Sequence, residues 1–471
     1  MSPALSRPES MSPAAGVSRA SFAWLAAVQM SLIAAISLVS MALPEMQRAF
    51  GLELRDLAWF ASAYGLAFSG LLIVGGRFAD AAGPARAFRI GAAIFAAASA
   101  LAAAAPAFGL LVAARMAQGA GAAFAAPAAL ALAATLYEDE ERRARALATW
   151  GGLSGAGAVV GLLLSGVIAS FMHWRWVFAP AGAVVLAALA ALRRLDPGAP
   201  PERDQRLNGA GTLLLAGGIA AVTHGLLAFS GGAAPVRGLI FTALGSALLV
   251  AFRAVDARST SPLVPRSLLG PGARRLALAA IVAASGASAA TNVFLTLYFQ
   301  QIRGYSPLET SLFFTPFLLT LAASAASGRL VRRLGPARVA AAGSVCIALS
   351  LWLLARLVSG SGGHEALLGL VLFPAGLGFA FSGATVLTLI DVPKELRGLG
   401  GGLVNTAMEA GPVIGLAALV MVAELRTAAL LGSGLGRAEA AGGGYGAALL
   451  VCGALFVALG FSFVLNPTKR R

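Results

Sequence analysis

The chain has 471 residues, of which 58% are hydrophobic and 12% are charged, and its mean hydropathy is +0.82. Ordinary soluble domains contain about 25% charged residues, so this composition excludes a soluble globular enzyme. The 57 glycines lie inside apolar runs without a collagen period, and those runs are too long for the strands of a membrane barrel. The sequence therefore predicts a polytopic helical membrane protein, in which each span satisfies its own backbone hydrogen bonds.

Fourteen runs with few or no charges are long enough to cross a bilayer, which takes roughly 20 residues in a helix. The first six predicted spans are 24–43, 57–76, 90–105, 108–136, 146–172 and 176–192. Two further spans follow at 209–230 and 238–252, and the last six are 276–302, 310–328, 339–355, 366–390, 398–423 and 446–465. The sequence thus predicts an all-α membrane fold with fourteen transmembrane helices.

The net charge of +15 reflects where the basic residues lie between these spans. With the N-terminus in the cytoplasm, cytoplasmic segments carry 26 of the 35 Lys and Arg residues and outer loops carry 8. This asymmetry is what the positive-inside rule requires, so it indicates orientation and contact with anionic lipids rather than a nucleic-acid partner. We expect a multi-pass protein of a bacterial-type inner membrane with both termini in the cytoplasm.

An internal repeat divides the predicted spans. GRFADAAGPAR begins at Gly76 and GRLVRRLGPAR begins at Gly328, with six of eleven positions identical, and each copy follows the second span of a six-span block. The domains predicted from this repeat are a disordered tail at 1–21, six-helix bundles at 22–208 and 255–471, and two inserted helices at 209–254. Such repeats let transporters alternate access to a central site. The positions expected to act in conformational change are Gly76, Asp80, Gly83, Arg86, Gly328, Gly335 and Arg338.

Two charged residues fall inside predicted spans, where a charge costs on the order of 3 kcal/mol on insertion scales. Arg115 lies about 10 Å from the outer boundary of the fourth span, and Gln118 is one turn away on the same face, so the pair can orient a substrate. Snorkelling of Arg115 to the outer surface is the alternative. Glu409 lies about 16 Å into the thirteenth span, near the midplane, where it can load and release a proton. A permanently protonated carboxyl bonded to Asn405 is the alternative there.

Other features carry less functional information. Gln29, Tyr64, Asn292 and Asn405 are candidates for lining a substrate cavity, although hydrogen bonds between packed helices explain them equally well. The two cysteines are expected to be buried apolar residues, and neither they nor the three dispersed histidines have metal-ligand spacing. We therefore expect no metal, no cofactor and no enzymatic activity.

Several motifs resemble the major facilitator superfamily, and within it the fourteen-helix drug:proton antiporters. Besides the Gly76 loop, the matching segments are Arg115-x-x-Gln118-Gly119-x-Gly121, Trp174-Arg175-Trp176-x-Phe178, Tyr298-Phe-Gln300-Gln301 and the glycine-rich stretch around Gly411 and Gly415. The resemblance implies two six-helix bundles with two inserted helices, alternating access and proton-coupled efflux of drugs or amphipathic metabolites. It implies a small-molecule substrate, protons as the coupling ion and a monomer.

This chain departs from the pattern of that subfamily at four positions. Ala35 stands where the first helix usually carries an acidic residue, and Leu162 replaces the usual proline of the fifth helix. Ala81 and Pro84 replace basic residues of the Gly76 loop. The departures favour an alternative, an uncoupled or importing facilitator of the same fold. A non-transporting membrane sensor or assembly partner is the alternative of another class.

Overall fold

The computed structural model describes residues 15–137, 139, 157–193, 209–230, 235–259, 262, 272–392 and 397–465. All regular secondary structure within these ranges is helical. Twelve of the described helices are long and apolar enough to span a membrane. The predicted all-α membrane fold is therefore confirmed.

The first six helices are connected mainly by short turns. They are α1 (Ala15–Ser37), α2 (Leu54–Ala82), α3 (Pro84–Ala104), α4 (Phe108–Thr135), α5 (Gly157–Phe171) and α6 (Ala179–Ala191). A turn of 3-10 helix, Ser40–Ala42, and a short helix, Leu43–Phe50, join α1 to α2, and a second 3-10 turn, Trp174–Phe178, leads into α6. The start of the predicted fifth span lies outside the described residues.

Two helices, α7 (Gly209–Ser230) and α8 (Pro235–Arg258), precede the last six. Those six are α9 (Gly272–Leu297), α10 (Leu319–Leu334), α11 (Pro336–Val358), α12 (Leu368–Leu389), α13 (Arg397–Gly432) and α14 (Arg437–Leu465). A π-helical turn, Tyr298–Ile302, extends α9, and a short helix, Pro307–Phe313, precedes α10. Helices thus occur at all fourteen predicted positions.

Several helices extend beyond the apolar run that predicted them. Helix α8 covers 24 residues and includes the charged ends that the predicted span 238–252 left out, and α13 covers 36 residues. Long basic side chains keep their charges at the membrane surface while their backbone stays helical, which explains the extension. At the N-terminus, α1 begins at Ala15, inside the segment assigned to the tail, and residues 1–14 lie outside the described part.

Glycines allow the helices of this fold to approach closely. Helices α9 and α13 meet at Gly286 and Gly415, where a Cβ added to Gly286 would lie 2.9 Å from the Cα of Gly415. Close backbone approach strengthens packing in lipid, where apolar side chains gain little by leaving a solvent that is itself apolar. This contact joins the first and fifth of the last six helices.

The two copies of the repeated motif form turns of matching geometry. Gly83 separates α2 from α3 with φ of 88°, and Gly335 separates α10 from α11 with φ of 86°. In each copy the glycine is followed by a proline, Pro84 or Pro336, at the first position of the next helix. A positive φ favours glycine and a fixed φ near −65° favours proline at a helix start, so the sequence pair Gly-Pro determines both turns.

The inserted helix α7 packs against one helix of the first six, α2, and one of the last six, α13. It contacts α2 where Gly70 faces Ala216, and the Cβ that glycine lacks would lie 2.7 Å from the Cβ of that alanine. It also contacts α13. A small apolar cluster formed by Leu66 of α2, Ile219 of α7, and Ala410 and Val413 of α13 lies where the three helices meet. Helix α7 therefore covers the line along which α2 and α13 touch.

Candidate functional site

Arg115 is fully buried and is held by α4 among the first helices. Its Nη1 donates to the backbone oxygen of Ala35 on α1 at 3.1 Å and to Oε1 of Gln118 at 3.1 Å. The Nε2 of Gln118 donates to Oγ of Ser99 on α3 at 2.8 Å, and that hydroxyl donates to the oxygen of Phe95. This chain of hydrogen bonds connects α1, α4 and α3 inside the bundle.

Gly119 explains how α4 brings these side chains close to α2. A Cβ at this position would collide with the backbone oxygen of Tyr64, so only glycine permits the observed approach. The close approach places the guanidinium Cζ of Arg115 5.0 Å from the ring centroid of Tyr64 and 5.5 Å from that of Phe60. The Tyr64 hydroxyl donates to the oxygen of Leu32 at 3.0 Å, which fixes its ring over the cation.

Two polar atoms of Arg115 remain without a partner. Its Nε and Nη2 are buried and form no hydrogen bond with the described residues. No Asp or Glu of the described chain lies within ion-pair distance of this side chain. The site therefore holds a buried cation that uses two of its five N–H donors within the described chain.

Glu409 lies on α13, which contacts α2 next to Tyr64. Its backbone oxygen would be 3.6 Å from a Cβ at Gly65, the residue next to Tyr64, so α13 and α2 are in direct contact here. The carboxyl is partly exposed and makes no hydrogen bond or ion pair with the described residues. Both Glu409 and Arg115 interact electrostatically with Tyr64. Tyr64 thus lies near both charged residues that the sequence predicts to act in transport.

The remaining predicted cavity residues are dispersed. The Oε1 atom of Gln29 is buried without a partner in the described part of the chain. Asn292 is half-buried on α9, and Asn405 is exposed one turn before Glu409 without bonding to it. Of the four candidates, only Tyr64 joins the Arg115 cluster.

The conformational motif lies away from this cluster. Arg86 and Arg338 are exposed in both copies, while the side chain of Asp80 lies outside the described part of the structure. Both cysteines are free thiols; Cys452 is buried and Cys346 is half-buried. Within the described ranges, no group of His, Cys, Asp and Glu has the geometry of a metal site.

A second polar set joins the first six helices to the last six at the end of the bundle where α1 stops. Gln300 Nε2 donates to the oxygen of Met41 at 3.2 Å, and Gln301 Nε2 donates to Oε1 of Gln47 at 2.7 Å. The other bonds at this end run from the Leu308 N–H to Oγ of Ser170 at 2.9 Å and from the Arg55 N–H to Oε1 of Glu424 at 3.1 Å. The structure is held closed at this end.

Four groups of the site were not predicted from the sequence: Phe60, Ser99, Glu424 and the Ala35 carbonyl. A phenylalanine and a serine in an apolar run carry no distinctive signal, and a backbone oxygen carries none at all. Gln300 and Gln301 belonged to a motif that resembled the family, but the pattern gave no partner for either. The π-helical turn that contains them is a form often found at functional sites.

The fold and the site define a protein class, a polytopic membrane transporter with charged groups inside its helical bundle. The sequence profile of the Major Facilitator Superfamily matches residues 25–416. The chain belongs to the Major Facilitator Superfamily.

Relatives of known description cover most of the chain. A puromycin resistance protein of Streptomyces alboniger is 34% identical over 410 residues, which are 86% of this chain and 82% of the relative. A cephamycin export protein of Amycolatopsis lactamdurans is 34% identical over 396 residues, which are 82% of this chain and 81% of the relative. Together with the family membership, these relatives confirm the prediction of a transporter rather than an enzyme.

Solved structures agree on the fold. A POT family transporter crystallised with 5-aminolevulinic acid superposes with a TM-score of 0.67 at 14% identity and covers 94% of this chain and 95% of its own. An auto-inhibited POT family peptide transporter superposes equally well, with a TM-score of 0.67 over 96% of this chain and 97% of its own. At this level of identity the likeness concerns the fold alone.

Proposed function

We propose that this chain is a proton-coupled exporter of drugs or amphipathic metabolites that belongs to the fourteen-helix drug:proton antiporters. Relatives named for puromycin resistance, cephamycin export and tetracenomycin C resistance and export support the direction of transport and the kind of substrate. Arg115, Gln118 and Glu409 form the transport and coupling site in this proposal. The protein works as a monomer in a bacterial-type inner membrane.

One observation supports proton coupling above the others. Glu409 lies at the contact between α13 and α2 with no hydrogen bond or ion pair in the described chain. Its neutral and charged forms are therefore free to favour different arrangements of these two helices, and such differential stabilisation is how a proton drives a conformational change. Helix α1 supplies no carboxylate for this role, because Ala35 occupies the usual position.

The proposed domain organisation places residues 22–208 and 255–471 in two six-helix bundles, with 1–21 as a tail and 209–254 as inserted helices. Both termini lie in the cytoplasm, so the hydrogen bonds between Gln300 and Met41 and between Gln301 and Gln47 close the outer end. The repeated turns change conformation while the two bundles rock relative to each other. The residues assigned to this change are Gly76, Asp80, Gly83, Arg86, Gly328, Gly335 and Arg338.

An uncoupled facilitator of the same fold is a second candidate, and one observation favours it. The Arg115 Nη1 bonds the backbone oxygen of Ala35 rather than an acidic side chain, so the proton-binding group expected on α1 has been replaced by a group that does not titrate. In this alternative, transport follows the substrate gradient alone.

The two candidates differ in their response to a proton gradient. In everted membrane vesicles, we expect acidification of the lumen to drive dye accumulation by the wild type but not by Glu409→Gln, which resembles the permanently protonated form. Exchange of labelled dye across equilibrated vesicles should persist in Glu409→Gln, which shows that the variant is folded. Equal accumulation by the two proteins would refute the role of Glu409. Exchange without any gradient response in the wild type would favour the facilitator.

A further inference from the structure

The two unpaired nitrogens of Arg115 are adjacent members of one edge of the guanidinium. Nε and Nη2 carry parallel N–H donors that form the side-on fork by which arginine binds a carboxylate with two hydrogen bonds. The protein occupies the opposite side of the group, where Nη1 bonds Ala35 and Gln118. Both nitrogens of the fork are therefore buried, and neither has a hydrogen-bond partner in the described chain.

An empty charged fork is unfavourable, because a buried charged donor without a partner costs more than the roughly 1 to 3 kcal/mol of a neutral one. The rings of Tyr64 and Phe60 lie against the guanidinium and offset part of this cost. They supply no acceptor for the two N–H groups. The side chain of Ala35 has no acceptor to offer these N–H groups. Glu409 of α13 interacts with Tyr64 and forms no ion pair with Arg115.

We propose that the Nε–Nη2 edge of Arg115 binds a carboxylate of the transported molecule, so that the substrates are amphipathic carboxylic acids in their ionised form. The inference rests on the proposed export function and specifies its substrate class. The aromatic rings of Phe60 and Tyr64 accept the apolar body of such a molecule, and the fork recognises its two carboxylate oxygens. A cationic drug finds no complementary charge at this edge.

Helix α2 controls access to the fork. It carries both Phe60 and Tyr64, which are buried against Arg115, and it carries Gly65, which touches α13 beside Glu409. A movement of α2 relative to α13 therefore shifts the two rings and uncovers the edge. Binding of the anion at Arg115 is therefore coupled to the contact between α2, in the first six helices, and α13, in the last six.

The test uses two dyes that differ at one group, rhodamine B with its free carboxylate and the ethyl ester of the same dye. Binding to purified protein in detergent is measured by fluorescence anisotropy, and uptake is measured in everted vesicles. We expect the wild type to bind the acid about tenfold more tightly than the ester, because only the acid fills both donors of the fork. Arg115→Gln should lose this preference, so that the acid and the ester bind to the variant with affinities within about twofold of each other.

Arg356→Gln is the matched control, since it removes the same charge from a partly exposed side chain. It should keep the tenfold preference. Size-exclusion chromatography of each variant shows whether the protein is folded, and Arg115→Lys should restore charge without restoring the full preference, because an ammonium lacks the fork.

Equal binding of the two dyes, binding of the ester alone, binding of neither dye, or an unchanged preference in Arg115→Gln would overturn the inference. The proposed export function is judged separately by uptake. A wild type that transports the ester without preferring the acid is an exporter whose substrate class differs from the one inferred here. Absence of transport for a panel of chemically diverse dyes would count against the proposed function itself.

Discussion

Arg115 shows how the chain tolerates a charge inside the membrane. The insertion cost of such a residue is on the order of 3 kcal/mol. Two acceptors, the Ala35 oxygen and Gln118 Oε1, and two aromatic rings around the guanidinium offset this cost. Burial at the centre of the N-terminal helices also excludes the alternative in which this side chain snorkels to the surface. Gln118 is central to this arrangement, since it accepts from Arg115 and donates to Ser99.

Replacement of Gln118 by methionine tests that arrangement. Methionine has a similar shape but gives Arg115 no strong acceptor, and losing a hydrogen bond to a buried charge costs about 1.5 to 3 kcal/mol. We expect a lower melting temperature for purified Gln118→Met in detergent. Ser99→Ala should lower it less, because the two bonds that it removes, to Gln118 and to the Phe95 oxygen, join neutral groups only. A larger effect of Ser99→Ala would show that the hydroxyl, not the guanidinium, governs the stability of this network.

The residues of the site were predictable only where polarity contrasts with the membrane. Arg115 and Glu409 stand out because charges are rare inside apolar runs, and Gln118 follows from its spacing of three residues. The Ala35 carbonyl and the ring of Phe60 did not stand out, since their role depends on which helix faces meet. Cavity candidates such as Asn292 and Asn405 failed to join the cluster for the same reason: a polar residue in a span is compatible with several faces.

At the scale of helices, the spans were predictable from the sequence because the bilayer sets the length of each span. Ends were less predictable, as α8 and α13 show by continuing past their apolar runs. Contacts across the bundle were not predictable at all. The approach of α2 to α13 beside Glu409 depends on Gly65 facing Val413, and neither residue carries a motif that predicts its partner.

The repeated turns provide a prediction at this scale. Gly83 and Gly335 combine φ of 88° and 86° with an extended ψ, a conformation that is nearly restricted to glycine and costs other residues about 1 to 3 kcal/mol. Gly83→Ala and Gly335→Ala should each lower stability by about this amount, measured as a shift in the melting temperature of the purified protein. Gly76→Ala and Gly328→Ala are matched controls from the same motif, because a Cβ there would have no neighbour closer than 3.9 Å. Equal effects at all four glycines would contradict the assignment of strain to the turns.

At the scale of the whole molecule, helix α7 lies at one of the contacts between the N-terminal and the C-terminal helices. Helix α7 covers the contact of α2 with α13. A second contact between these groups lies at α5, where Gly166 is directly against Ser311 of the helix Pro307–Phe313. Relative movement of the two groups therefore requires α7 to slide along at least one of its neighbours. Its tight Gly70–Ala216 contact favours movement together with α2.

The closed end of the bundle gives the last prediction. Alternating access requires the bonds at this end to break during each cycle, and the Leu308 N–H lies 2.9 Å from Oγ of Ser170 across the gap between the two groups of helices. We expect the double variant Ser170→Cys with Leu308→Cys to form a disulfide on oxidation, in a background where Cys346 and Cys452 are replaced by alanine. The oxidised protein should lose dye transport in vesicles and recover it on reduction, because a covalent bond prevents this end from opening. Each single cysteine variant should transport normally under both conditions. Full transport by the cross-linked protein would mean that this end stays closed throughout the cycle and that substrate leaves by another route.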